Sequence, residues 1–288
     1  MRDPADLILC SATLEPDTMK PGPDCIAQQL QAASEAGFAG ISLWTMYYSA
    51  RLRAGQGRAS LLETVRESGL RIPMVEAILP WDAPDDSSAV KAAKETFALA
   101  EAFGATQAVV VTMAADALDL DFASRRFRQV CEVAADYGVG PMIEFLPWSG
   151  IPDLATAWQI VQAADQPNGG IMIDTWHWRR QPGGPAPDLL RTIPGHRIPV
   201  VQLCDSAPGI EGGTQSEAMT DRRLPGEGNV DFAELFGILD EIGADPIIAP
   251  EVFNLELTHQ GMTSMARTIF EASASTLRAV DNLRTEPG

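Results

Sequence analysis

Residues 104–147 read GATQAVVVTMAADALDLDFASRRFRQVCEVAADYGVGPMIEFLP. The stretch opens on a glycine, runs through the apolar segment TQAVVVTM (106–113) and enters a segment with helical periodicity. There Phe127, Val130, Cys131 and Ala134 stand at relative positions 0, 3, 4 and 7, the stripe that an amphipathic helix buries. Gly138 can stop that helix, because glycine takes the left-handed cap conformation cheaply. VGPMIEFLP (139–147) then begins a second apolar run. One strand, one helix and the next strand are thus legible in a single stretch.

The same unit recurs in both directions. LILC (7–10), FAGISLW (38–44), IPMVEAIL (72–79), GGIMIDTW (169–176), IPVVQLCD (198–205) and PIIAPEVF (246–253) bring the apolar runs to eight. Gly37, Gly69, Gly104, Gly138 and Gly243 each precede such a run, and the steps from Gly37 to Gly138 are 32, 35 and 34 residues, about one βα unit each. Eight units with no Pro/Gly/Ser linker predict a single α/β domain over residues 1–288, a (β/α)8 TIM barrel. A doubly wound open sheet shows the same alternation and differs in whether the sheet closes.

The formal net charge of −18 repels phosphate backbones and anionic lipid headgroups, so neither nucleic acid nor a membrane is an expected partner. No run reaches the roughly 20 apolar residues of a membrane-spanning helix. The opening residues lack the pattern of a secretory signal, and the expected location is cytoplasmic. Cys10, Cys25, Cys131 and Cys204 lie far apart and read as buried free thiols. Whether the chain forms a homo-oligomer is left open by the pattern.

Four of the runs carry a polar residue near the strand's C-terminal end: Glu144, Asp174, Gln202 and Glu251. Lone buried carboxylates cost several kcal/mol each unless paired or metal-bound. Strand alternation puts Glu144 with Met142, Asp174 with Met172 and Gln202 with Val200, so all four can converge on one point inside a barrel. An all-oxygen set suits one divalent ion, Mn²⁺ or Mg²⁺, better than Zn²⁺, and Co²⁺ also fits. The plain alternative is an ion-paired plug, against which the strand segments offer no basic residue except the distal Arg197.

His177, three residues after Asp174, is placed to touch a bound substrate, whereas His196 and His259 lack such a context. The long stretch from Ala207 to Asn229 follows the seventh run, on the face where barrels carry their functional loops. Within DRRLPGEGNVDF (221–232), Arg222 or Arg223 could clamp a substrate oxygen, and Asp231 could cap the next helix. Trp44, Trp148, Trp176 and Trp178, with Tyr47 and Tyr48, follow strand ends and could form an aromatic wall. Aromatic residues in loops more often simply pack.

Taken together, IEFLP, IDTWH, VQLCD, the R-x-x-P-G-x-G loop at Arg222 and APEVF resemble the sugar phosphate isomerase/epimerase superfamily of xylose-isomerase-like TIM barrels, over nearly the whole chain. The resemblance implies metal ligands at Glu144, Asp174, Gln202 and Glu251, with Glu144 and Glu251 doubling as acid/base groups. It implies substrate contacts from His177 and Arg222, and a small carbohydrate-like substrate. Gln202 departs from the histidine of most isomerases and epimerases and is similar to the glutamine of 3-dehydroshikimate dehydratases. The resulting expectation is a metal-dependent sugar (phosphate) isomerase or epimerase that removes a proton next to a carbonyl. The alternative is a dehydratase, a carbon–oxygen lyase acting on 3-dehydroshikimate or an inosose. Three histidines and the acidic charge argue against the zinc-cluster endonucleases of the same architecture. A non-catalytic binding barrel would tolerate loss of Glu144 and Glu251.

Overall fold

The computed structural model describes residues 2–15, 25–53, 55, 57–77, 81–83, 85–208 and 213–285. Residues 78–79 of the third apolar run, 209–212 of the long loop and the side chain of Cys25 lie outside them.

All eight runs form parallel strand, the second in two pieces. In chain order they are β1 (Ile8–Leu9), β2 (Gly40–Ile41), β3 (Leu43–Trp44), β4 (Met74–Ala77), β5 (Gln107–Val110), β6 (Gly140–Glu144), β7 (Gly170–Asp174), β8 (Val200–Leu203) and β9 (Ile247–Pro250). Strands β3 to β9 pair in sequence order, and β1 pairs with β2. The ring closes through two sets of backbone bonds. Cys10 N donates to Pro250 O at 3.0 Å, joining the first strand to the last. On the other side, Ile41 N donates to Arg71 O at 2.9 Å and Arg71 N to Ala39 O at 3.0 Å. Closure decides between the two architectures, and the fold is a TIM barrel.

Helices form the outer layer where the periodicity places them. Helix Leu120–Ala135 buries Phe127, Val130, Cys131 and Ala134, and Asp119 caps it by accepting from Phe122 N at 2.7 Å. Gly37, Gly69, Gly104, Gly138 and Gly243 all take positive φ, between 67° and 99°, as the helix stops require. Among the described residues no helix is long and apolar enough to cross a membrane.

Inside the barrel the side chains form layers. Ile8, Met74, Val109, Met142, Met172, Val200 and Ala249 make a buried apolar plug. Two residues further along their strands stand Cys10, Glu76, Val111, Glu144, Asp174, Gln202 and Glu251. Asp174 is in register with Gln202, but Glu144 is in register with Met172 and Gln202 with Ala249. The polar layer therefore steps by two residues between some neighbours, the stagger that strand tilt imposes on a closed barrel.

The stretch after β8 is less irregular than expected, since it contains helix Gln215–Thr220. Its return path is pinned by Asp205, which is 1% exposed. The Asp205 carboxylate accepts from the backbone N–H of Ser206, Gly226, Gly228 and Val230 at 2.8–3.1 Å. Position 228 must be glycine, because a Cβ there would stand 2.2 Å from Ser206 O. A short antiparallel bridge between Asp205 and Arg223 finishes the clamp and sets the height of Arg222. Replacing Asp205 by Ala strands four donors and is expected to cost about 3 kcal/mol, read as a lowered midpoint in denaturant. A variant within about 0.5 kcal/mol of the parent would show that water replaces the carboxylate, as at ordinary surface positions.

Candidate active site

The C-terminal ends of the strands open into a cavity of about 720 Å³. Its floor is polar, built from Glu76, Glu144, His177, Arg222 and Glu251. Its walls are largely apolar, including Trp44, Met113, Leu146, Trp148, Met219 and Phe253. Asp174 and Gln202, of the same polar layer, complete this floor and are both 0% exposed.

The expected residues Glu144, Asp174, His177, Gln202, Arg222 and Glu251 meet here, and Glu76 joins them without having been expected. Glu76, on β4, is 8% exposed and accepts from Ser42 Oγ, from Trp44 Nε1 at 2.8 Å and from Gln202 Nε2 at 3.3 Å. The signal was present, because Glu76 follows Met74 by two residues inside an apolar run, as Glu144 follows Met142.

The basic partner that the strand segments lacked arrives from the loop after β8. Arg222 Nη1 lies 2.5 Å from Asp174 Oδ2, 2.9 Å from Glu251 Oε2 and 3.2 Å from Glu251 O. The side chain is 2% exposed and is held by Nε donating to Ala218 O at 2.7 Å, with its guanidinium 5.0 Å from the Phe253 ring centre. Arg222 thus spends donor capacity on the acids of the floor and is not a free clamp at the cavity mouth. Arg223 is exposed and pairs with Asp221 at 3.5 Å, an ordinary solvated contact.

His177 follows β7 on a short helix that Asp174 caps, its backbone N–H donating to Asp174 Oδ1 at 2.9 Å. Its Nε2 is 3.2 Å from Glu144 Oε1, and its Nδ1 has no partner among the described residues. Burial pushes the ring's pKa down to about 3, so it is neutral near pH 7. Trp148 and Trp176 pack edgewise on the ring at 5.2 and 5.4 Å between centres. Trp148 and Trp44 reach the cavity, whereas Trp176 stands behind His177, fully buried and off the cavity wall. Trp178, Tyr47 and Tyr48 are buried packing residues, and His196 and His259 are exposed.

One guanidinium and a neutral imidazole thus face four carboxylates, none more than 8% exposed. Burial, and then the charge of Asp174, pushes Glu144 well above the ordinary carboxylate range. Burial does the same to Glu251, opposed by Arg222 and reinforced by Glu76, and burial also raises Glu76. On Asp174 burial works upward too, but the charge of Arg222 and the hydrogen bonds from Arg222 and from the His177 backbone hold it low. Two triads bring ligand atoms within 4.8 Å of one another: Cys10, Glu76 and Glu251, and Glu144, Asp174 and His177. Gln202 Oε1, a buried carbonyl-type oxygen, has no donor among the described residues. Surplus negative charge together with an orphaned neutral oxygen is the chemistry of a cation site.

Comparison with known proteins agrees with this architecture. The chain is 26% identical over 269 residues to the 3-dehydroshikimate dehydratase of Pseudomonas aeruginosa, covering 90% of this chain and 39% of that one. It spans only about two fifths of the length of that relative. It is 27% identical over 152 residues to the inosose isomerase of Bacillus velezensis, about half of each chain (51% and 52%). Among solved structures, the IolI protein with a bound zinc atom superposes with a TM-score of 0.83 at 17% identity, covering 96% of this chain and 99% of the other. Residues 30–279 match the profile of the xylose isomerase-like TIM barrels, and the chain belongs to that family.

Proposed function

We propose that this protein is a metal-dependent isomerase or epimerase that removes and returns a proton next to the carbonyl of a polyhydroxylated, carbohydrate-like substrate. The observation that carries this reading is the floor itself: four buried carboxylates, one guanidinium and the unpartnered Oε1 of Gln202. Glu144, Asp174, Gln202 and Glu251 are the residues that would hold the ion, with Mn²⁺ or Mg²⁺ suited to their oxygen atoms. A bound cation would act as a Lewis acid, worth several kcal/mol toward the negative charge that proton removal leaves on the substrate oxygens.

The chain's own groups supply the proton chemistry. Glu144 and Glu251 line the cavity from β6 and the end of β9, so their carboxylates approach a substrate carbon from different sides. Burial raises the proton affinity of both, which moves them toward the range where a carboxylate works as a base. Neutral His177 braces Glu144 at 3.2 Å beside the cavity that both residues line. The aromatic and apolar walls exclude water and pack against the C–H faces of a polyol.

Among the described residues lining the cavity, Arg222 is the one permanent cation, and two acids already engage it. A phosphate or carboxylate would therefore depend on the bound cation to offset Glu76, Glu144 and Glu251. A second reading, dehydration, is favoured by Gln202 and by the 269-residue similarity to a 3-dehydroshikimate dehydratase. Loss of a β-hydroxyl after the same proton removal would need only a proton donor to the leaving oxygen.

Incubating Mn²⁺-loaded protein with neutral ketoses and inososes in D₂O is expected to place deuterium next to the carbonyl. A conjugated chromophore formed from 3-dehydroshikimate, with no exchange in any ketose, would instead establish the lyase. Glu144→Gln and Glu251→Gln are each expected to lower turnover by about 10²- to 10⁴-fold. Undiminished turnover in both variants would remove the carboxylates from the chemistry.

A further inference from the structure

The amide of Gln202 is held from one end. Its Nε2 donates to Glu251 Oε1 at 2.9 Å and to Glu76 Oε2 at 3.3 Å, so both N–H bonds are spent on carboxylates. Turning the amide over would press Oε1 against those same two carboxylate oxygens. The observed orientation is therefore the one that charge permits, and it leaves Oε1 buried and without a donor. Glu76 is itself fixed by Ser42 Oγ and by Trp44 Nε1 at 2.8 Å, which converge with Gln202 Nε2 on its two oxygens.

We propose that Glu76 is a positioning residue of the cation site: together with Glu251 it locks the Gln202 amide so that the oxygen, not the NH₂ group, is presented as a ligand. The inference rests on the metal-dependent reading above. Glu251 alone cannot do the locking, because it is shared with Arg222 at 2.9 Å and with Cys10 Sγ at 3.0 Å and would restrain the amide from one side only. An amide free to turn offers N–H donors to a cation, which repel it. A histidine in place of Gln202 would need no such lock, since a ring nitrogen can ligate without an amide orientation to fix. Glu76 therefore makes a glutamine usable at this position, and it keeps the ligand set all-oxygen.

Mn²⁺ affinity, measured by calorimetry and by the electron paramagnetic resonance signal of the free ion, tests this without recourse to turnover. Failure of the unmodified protein to bind Mn²⁺ would overturn the cation reading itself, with the positioning role falling beside it. Given binding, Glu76→Gln is expected to weaken it by about 10- to 100-fold, the usual effect of losing a partner that orients a ligand. The decisive comparison is a double-mutant cycle. In a Gln202→Ala background Glu76→Gln should cause almost no further loss, because there is no amide left to orient. An equal loss in both backgrounds would mean that Glu76 acts by charge or as a ligand, and the proposal fails. Unchanged affinity in Glu76→Gln alone would also overturn it. Ser42→Ala, which removes one support of Glu76 and preserves every charge, is expected to weaken Mn²⁺ binding by a smaller factor, and serves where Glu76→Gln does not fold.

Discussion

Four carboxylates share a buried layer with a single guanidinium, and the rest of the molecule is arranged around that imbalance. Glu76, Glu144, Asp174 and Glu251 stand on or just beyond four different strands, so no local rearrangement can separate them. They are held there by a closed ring of strands whose interior beneath them is filled with methionine, valine, isoleucine and alanine. The apolar plug denies water access from below, which raises the cost of each charge and strengthens every interaction that opposes it. Arg222 offsets part of the surplus through Asp174 and Glu251.

The imbalance is distributed unevenly. Asp174 receives the guanidinium and a backbone N–H at the start of a helix, and stays ionised. Glu144 receives a single histidine contact, and its carboxyl is driven toward protonation. Carboxylates of the same layer thus differ in readiness to accept a proton because of their neighbours. In the proposed chemistry that difference separates an anchoring ligand from a base.

Much of this was legible in the sequence, for reasons that can be named. A period of about 34 residues, helix-stopping glycines and apolar runs gave the barrel units, because each rests on local backbone chemistry. Glu144, Asp174, Gln202 and Glu251 stood out because each breaks an apolar run near its end. Glu76 obeys the same rule in IPMVEAIL but lies in an earlier run, away from the cluster of strands five to eight. Only closure of the ring brings β4 opposite β8, as the Gln202–Glu76 contact shows. The direction of Arg222 was illegible for a similar reason: it depends on the Asp205 clamp, which unites positions up to 25 residues apart. Trp176 does neighbour Trp148, at 6.1 Å between ring centres, but the helical turn after Asp174 rotates it behind His177 and off the cavity wall.

A site with this much unbalanced charge would relax if its side chains were free to turn, and here they are not. Glu76 is held by Ser42, Trp44 and Gln202; Glu251 by Cys10, Gln202 and Arg222; Asp174 by Arg222 and the His177 backbone. The donors stand on or just beyond β1, β2, β3, β7 and β8 or come from the loop after β8, so the geometry is fixed by the barrel as a whole and not by any one loop. The reorganisation that water would undergo around a developing charge has already been met during folding. What folding leaves unsatisfied, the Oε1 of Gln202 and the surplus of negative charge around it, is then concentrated at one point instead of being spread over the floor.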